Sequence, residues 1–162
     1  MLSHKKIFRI ATIAYIIILG TALGAGLLAG VVVAPTIFHS ELLLGSELLS
    51  KFQEGLLMTQ VFERLAYVVN FMVLFVIIYE VIKWKSFESD SWTTLATFLV
   101  VATGLMFTSY YIPDILEMQA AGEAMTQSDA FINTHKGSEI NFKIFAFSTL
   151  ALLLLNLKKA LR

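Results

Sequence analysis

Three groups of side chains in this chain have types and spacings that could do chemistry. Glu63, Tyr67 and Asn70 recur at i, i+4 and i+7, so on a helix they share one face. His135, Ser138 and Glu139 share another, with Lys143 about one further turn along. His39 and Glu41 form the third group, at the end of a long apolar run. Two imidazoles, His39 and His135, with Glu41, Glu63 or Glu139 suit zinc, copper(II) or a related divalent ion. The same imidazoles alone could ligate a b-type haem axially. A plainer reading competes with both: Glu63 or Arg64 pairs with Lys143 or Glu139 and ties two helices together. Tyr67 and Asn70 then supply interhelical hydrogen bonds of roughly 0.6 kcal/mol each. Asn141 points elsewhere on an ideal helix and needs a partner helix on its own side.

Other chemistries lack their residues. There is no cysteine, hence no disulfide, thiolate metal site or thiol nucleophile. The six methionines are scattered, short of the clustered thioethers a copper(I) relay needs. No phosphate-cradling glycine loop, nucleophile elbow or HExxH run occurs, so a non-enzymatic protein is expected. Lys plus Arg and Asp plus Glu balance at 12 each, and no excess charge points to nucleic acid.

The elements that must position these groups are membrane helices. Of 162 residues, 57% are apolar and 15% charged, against about 25% charged in soluble domains. About 20 apolar residues cross the ~30 Å hydrocarbon core, and four stretches qualify, at about 10–33, 61–82, 93–112 and 140–157. The expected fold is therefore an all-α membrane protein forming one domain over 1–162, an antiparallel four-helix bundle. Eight of the twelve basic residues fall before the first span, between the second and third, and after the fourth. Nine of the twelve acidic residues lie on the other side. The positive-inside rule then places both termini in the cytoplasm, and Trp84, Trp92, Tyr110 and Tyr111 fall where interfacial rings belong. A cleaved signal peptide is the competing reading of the first run, but the apolar stretch continues to Val33, past the usual length.

Small residues pattern the first span. Gly20 and Gly24 make one small-xxx-small pair; Ala22, Gly26 and Gly30 make another, about 200° around the axis. Such faces let backbones approach closely in lipid, inside the bundle or in a homo-oligomer or a complex with another membrane protein. Pro35 is expected to end this helix. The segment 41–58, with Glu47, Lys51 and Glu54 at i, i+4 and i+7, reads as an amphipathic outer helix. A Ser128 or Thr126 cap is expected to start the rod that continues into the fourth span. Glu80 is the one ionisable group in the inner half, and Lys83, one turn away, can neutralise it.

The run Val31 to Phe38, the Tyr111 to Pro113 tripeptide, and Phe131, His135, Gly137, Ser138 and Asn141 together resemble a four-span bacterial membrane family of unknown function. That family is similar to vertebrate transmembrane protein 205 and, more distantly, to copper resistance protein D. The resemblance implies a four-helix inner-membrane bundle, singles out the Ala34-Pro35 exit and the His135, Ser138 and Asn141 cluster, and favours a metal modestly.

Overall fold

The computed structural model describes residues 4–46, 48–86 and 90–161, with side chains from Lys6 onward. Among them every regular element is helical. Four helices are long and apolar enough to cross a membrane: α1 (Lys6–Phe38), α3 (Lys51–Lys85), α4 (Ser91–Ala120) and α6 (Asp129–Ala160). Two short pieces, α2 (Ser40–Leu44) and α5 (Glu123–Thr126), lie in the connections. At 35 residues, α3 is roughly 50 Å long by the ~1.5 Å rise per residue. It therefore exceeds the hydrocarbon core and carries polar ends beyond it.

The rods begin where the sequence supplies caps. Ser50 accepts from the Gln53 amide while the Gln53 side chain accepts from the Ser50 amide, a reciprocal capping box. Asp90 takes the amides of Trp92 and Thr93 at the head of α4, and Ser128 takes that of Phe131 at the head of α6. The expected separate helix over 41–58 is not formed. Gly45 adopts φ +70° and ends α2, the left-handed turn glycine favours. The Ser50 cap then starts α3, so 51–58 belong to the second rod. Glu47 lies outside the described residues.

Neither proline ends its helix. Proline lacks an N–H and its ring crowds the carbonyl four residues back; just before each one the helix widens. The Ala34 amide reaches back to Ala29 O and the Ile112 amide to Phe107 O. The π-helical stretches Leu28–Val33 and Phe107–Tyr111 thus admit Pro35 and Pro113 into α1 and α4, which run on to Phe38 and Ala120.

A seam of fully buried side chains from all four rods forms the core: Tyr15, Leu19, Met72, Val76, Val100 and Leu152. The contact between α4 and α6 is the most extensive. Gly104 permits it, since a Cβ there would stand 2.8 Å from Val73 and 3.1 Å from Phe145. Outward faces carry large apolar side chains more than half exposed, among them Ile17, Phe71, Phe98 and Leu154. Such a surface suits lipid, and in water it would far exceed the apolar patches of soluble monomers. One end of the bundle, where α3 ends and α4 begins, gathers Arg9, Lys83 and Lys159; the other carries α2 and α5. We call these the basic end and the acidic end.

Candidate functional site

A cavity of about 760 Å³ opens toward the acidic end between α1, α3, α4 and α6, within the ~300–1,000 Å³ typical of small-molecule sites. Its inner wall is aromatic. Phe62, Phe107 and Phe142 meet with ring centroids 4.9 to 5.7 Å apart, and Leu23, Leu27 and Phe147 add aliphatic and aromatic surface. The small residues of α1 make room for these rings: a Cβ on Gly26 would lie 3.0 Å from the Phe142 ring, whereas one on Gly30, which lines the cavity, would meet nothing within 4 Å. Both π-helical stretches contribute to the wall, through Gly30, Val31 and Phe107.

Polar groups are confined to the mouth. Lys51 reaches Glu54 at 2.9 Å and Glu41 at 3.4 Å, and also donates to Phe38 O at 3.2 Å. Glu54 is fully buried beneath α2 and accepts from Ser40 at 2.6 Å. His135 Nε2 stands 3.6 Å from Glu139, which pairs with Lys143 at 3.4 Å, and Phe131 stacks on the His135 ring. Gln119 lines the cavity at 5% exposure. Its Nε2 donates to Thr59 Oγ1 at 2.9 Å. Thr59 directs its own proton to Gly55 O, so it can only accept from Gln119, and that fixes the amide orientation. Gln119 Oε1 is left without a hydrogen bond, a costly state for a buried acceptor.

Of the residues singled out from the sequence, the structure brings His135, Glu139 and Lys143 together at this mouth, beside the buried Ser138, whose hydroxyl donates to His135 O. His39 is turned to its own helix, with Nδ1 3.0 Å from Pro35 O, and does not line the cavity. Glu63 accepts from Gln60 at 2.7 Å. Arg64 and Tyr67 are exposed. Asn70 accepts from Thr108 at 2.7 Å and Asn141 donates to Thr103 O at 2.8 Å; both therefore bond to α4, which supplies the partner helix Asn141 requires. Among the described residues no group of three or more His, Cys, Asp or Glu side chains is placed to hold a metal ion. Gln119 and Thr59 were not singled out from the sequence, because both lie outside the expected spans, Gln119 beyond 93–112 and Thr59 before 61–82.

The basic end holds a second polar group. Glu80 and Lys83, 7% and 4% exposed, pair at 3.2 Å, as their spacing leads one to expect. The partners from other rods were not anticipated: Tyr15 donates to Glu80 at 2.9 Å, and Lys83 donates to Asn156 at 2.8 Å. Their signal is an isolated polar residue inside an apolar run.

Four membrane-length helices around a lateral apolar cavity with a charged mouth define a multi-pass membrane protein. Over residues 17–124 the chain matches the model of the domain of unknown function DUF4149, and it belongs to that uncharacterised family. No curated protein and no solved structure matches it.

Proposed function

We propose that this protein is an antiparallel four-helix bundle of a bacterial inner membrane that binds an amphiphilic molecule in the cavity at its acidic end. The bound molecule's apolar body lies against Phe62, Phe107 and Phe142, and its polar group sits among the charged residues of the mouth. The observation that carries this reading is Gln119: a buried acceptor without a partner, lining an apolar cavity of about 760 Å³. A ligand that donates a hydrogen bond, such as a hydroxyl, amide or protonated carboxyl group, would satisfy it once the side chain turns toward the cavity. The distribution of basic residues supports a cytoplasmic position for both termini, which sets the cavity mouth on the outer face. The kinship with vertebrate transmembrane protein 205 and copper resistance protein D belongs to this reading as an expectation.

Binding of an anthroyloxy-labelled fatty alcohol, whose hydroxyl can donate, to the full chain in nanodiscs tests it. Saturable binding is expected, lost in Gly30→Trp, which fills open space in the cavity, and weakened about fivefold in Gln119→Leu, the loss of one hydrogen bond. Equal binding by both variants, or no saturable binding, would overturn it.

A divalent ion is the second reading, favoured by the i, i+4 His135–Glu139 pair at the mouth. Stoichiometric zinc in protein purified without chelators, lost in His135→Ala, would support it; zinc-free protein or retention in that variant would end it.

A further inference from the structure

A recess of about 630 Å³ opens at the basic end between α1, α3 and α6. Its charged lining is cationic, with Arg9 from α1, Lys83 from α3 and Lys159 from α6, beside the neutral Thr12, Tyr79 and Asn156. Phe8 and Ile13 line it on the apolar side. The charges around it do not cancel. Lys83 is matched by Glu80 and Lys159 by Asp90, while Arg9 has no ion pair among the described residues. Among the described residues one positive charge therefore remains over the recess, on the side chain whose planar fork best fits a phosphate or carboxylate. Lys83 and Asn156, 4% and 2% exposed, bond each other at 2.8 Å and give the recess a rigid polar floor.

Its depth is set by two indoles. Trp84 follows Lys83, Trp92 precedes the Thr93 that Lys159 holds at 2.9 Å, and both rings are exposed. Exposed tryptophans on membrane helices sit at the headgroup level, so Arg9 and Lys159 lie where lipid phosphates lie. Basic pockets between membrane helices at that level suit anionic headgroups.

We propose that this recess is a binding site for one anionic phospholipid, its phosphate on Arg9 and Lys159 and its glycerol and first methylenes on Phe8 and Ile13. The site is separate from the acidic-end cavity and does not depend on what that cavity binds.

Native mass spectrometry of the full chain, taken from nanodiscs of phosphatidylcholine with or without phosphatidylglycerol, tests it. Wild type is expected to retain one phosphatidylglycerol, and Arg9→Gln to hold it at least about tenfold more weakly, the scale of one lost charge-assisted contact. Arg9→Lys should recover part of that affinity. Lys158→Gln, outside the recess, should match wild type. Arg9 is exposed, and an unchanged melting temperature would show that its variants are folded. Equal retention by wild type and Arg9→Gln, equal retention of phosphatidylcholine, or displacement of the lipid by millimolar inorganic phosphate would each overturn the proposal, the last by making the occupant a free anion.

Discussion

Lys83 Nζ donates to Asn156 Oδ1 at 2.8 Å, joining α3 to α6 through two side chains that are both more than nine-tenths buried. Lys83 also neutralises Glu80 at 3.2 Å, so one ammonium serves two acceptors on different rods. Removing one member of a buried pair leaves the other charge uncompensated, which destabilises by about 3–5 kcal/mol, whereas replacing both with apolar groups is often neutral. Lys83→Met is therefore expected to lower the melting temperature in detergent sharply, and Lys83→Met with Glu80→Leu to recover most of the loss. A double variant no more stable than the single one would contradict this account.

Two glycines are expected to respond differently. Gly104→Ala places a Cβ 2.8 Å from Val73, inside the contact distance of two buried groups, and overpacking of this kind costs about 1–3 kcal/mol. A Cβ on Gly24 meets nothing within 4 Å and the position is exposed, so Gly24→Leu should leave the monomer's melting temperature unchanged. If the face of Gly20 and Gly24 joins a second copy or another membrane protein, the same change will reduce cross-linked oligomer. A normal cross-linking pattern in Gly24→Leu would remove that face from consideration.

Acid should weaken the contact between α4 and α6 at the basic end. Asp90 caps α4, and Lys159 beside it, with the Thr93 amide, holds its carboxyl well below the usual carboxylate range. A carboxyl whose folded value is depressed stabilises the fold above its unfolded value, about 3.9, and that contribution fades as the pH falls through and below it. Asp90→Asn keeps a cap acceptor but loses the ion pair, so its melting temperature should vary less with pH below about 4 than wild type's. The side chains are partly exposed, so salt should shrink the difference. Parallel acid profiles for the two proteins would refute the assignment.

Glu54 fastens α2 to the bundle. It accepts from Ser40 at 2.6 Å and from Lys51 at 2.9 Å, and hydrogen bonds to a charged group contribute about 1.5–3 kcal/mol. Glu54→Leu should speed amide exchange over 40–44 by roughly ten- to a hundredfold, by the 1.4 kcal/mol per decade relation, with α4 unaffected. Unchanged exchange in that segment would show that other contacts hold it.

The rods were legible because charge-free runs of about 20 residues have few other uses. Their ends were not, apart from the Ser128 cap that starts α6. Ser50 and Asp90 act through backbone amides a few residues on, and the widened turns that let Pro35 and Pro113 pass leave no residue signature. The candidate site was half legible. Local spacing brought His135, Glu139 and Lys143 onto one face, as their positions require. What joins to what across the bundle depends on which rods are neighbours, and that is a matter of packing. Asn70 makes the interhelical bond expected of it and Asn141 makes another, both to α4, while Glu63 bonds Gln60 and Lys143 pairs with Glu139 within their own rods instead of tying α3 to α6. Gln119 meets Thr59 only because α4 continues past Pro113 to Ala120.

The two wide turns re-phase the helices that contain them. A π turn takes up one more residue than an α turn, so the side of the helix that meets its neighbours slips by about one position at Leu28–Val33 and again at Phe107–Tyr111. A substitution scan along α1 or α4 will not follow a single 3.6-residue rhythm; tolerant and intolerant positions will change beat at those stretches. Had both helices been regular throughout, the residues from Ala34 and from Ile112 onward would face another direction. The acidic end is thus aimed by where one residue was added to the winding as much as by which residues follow.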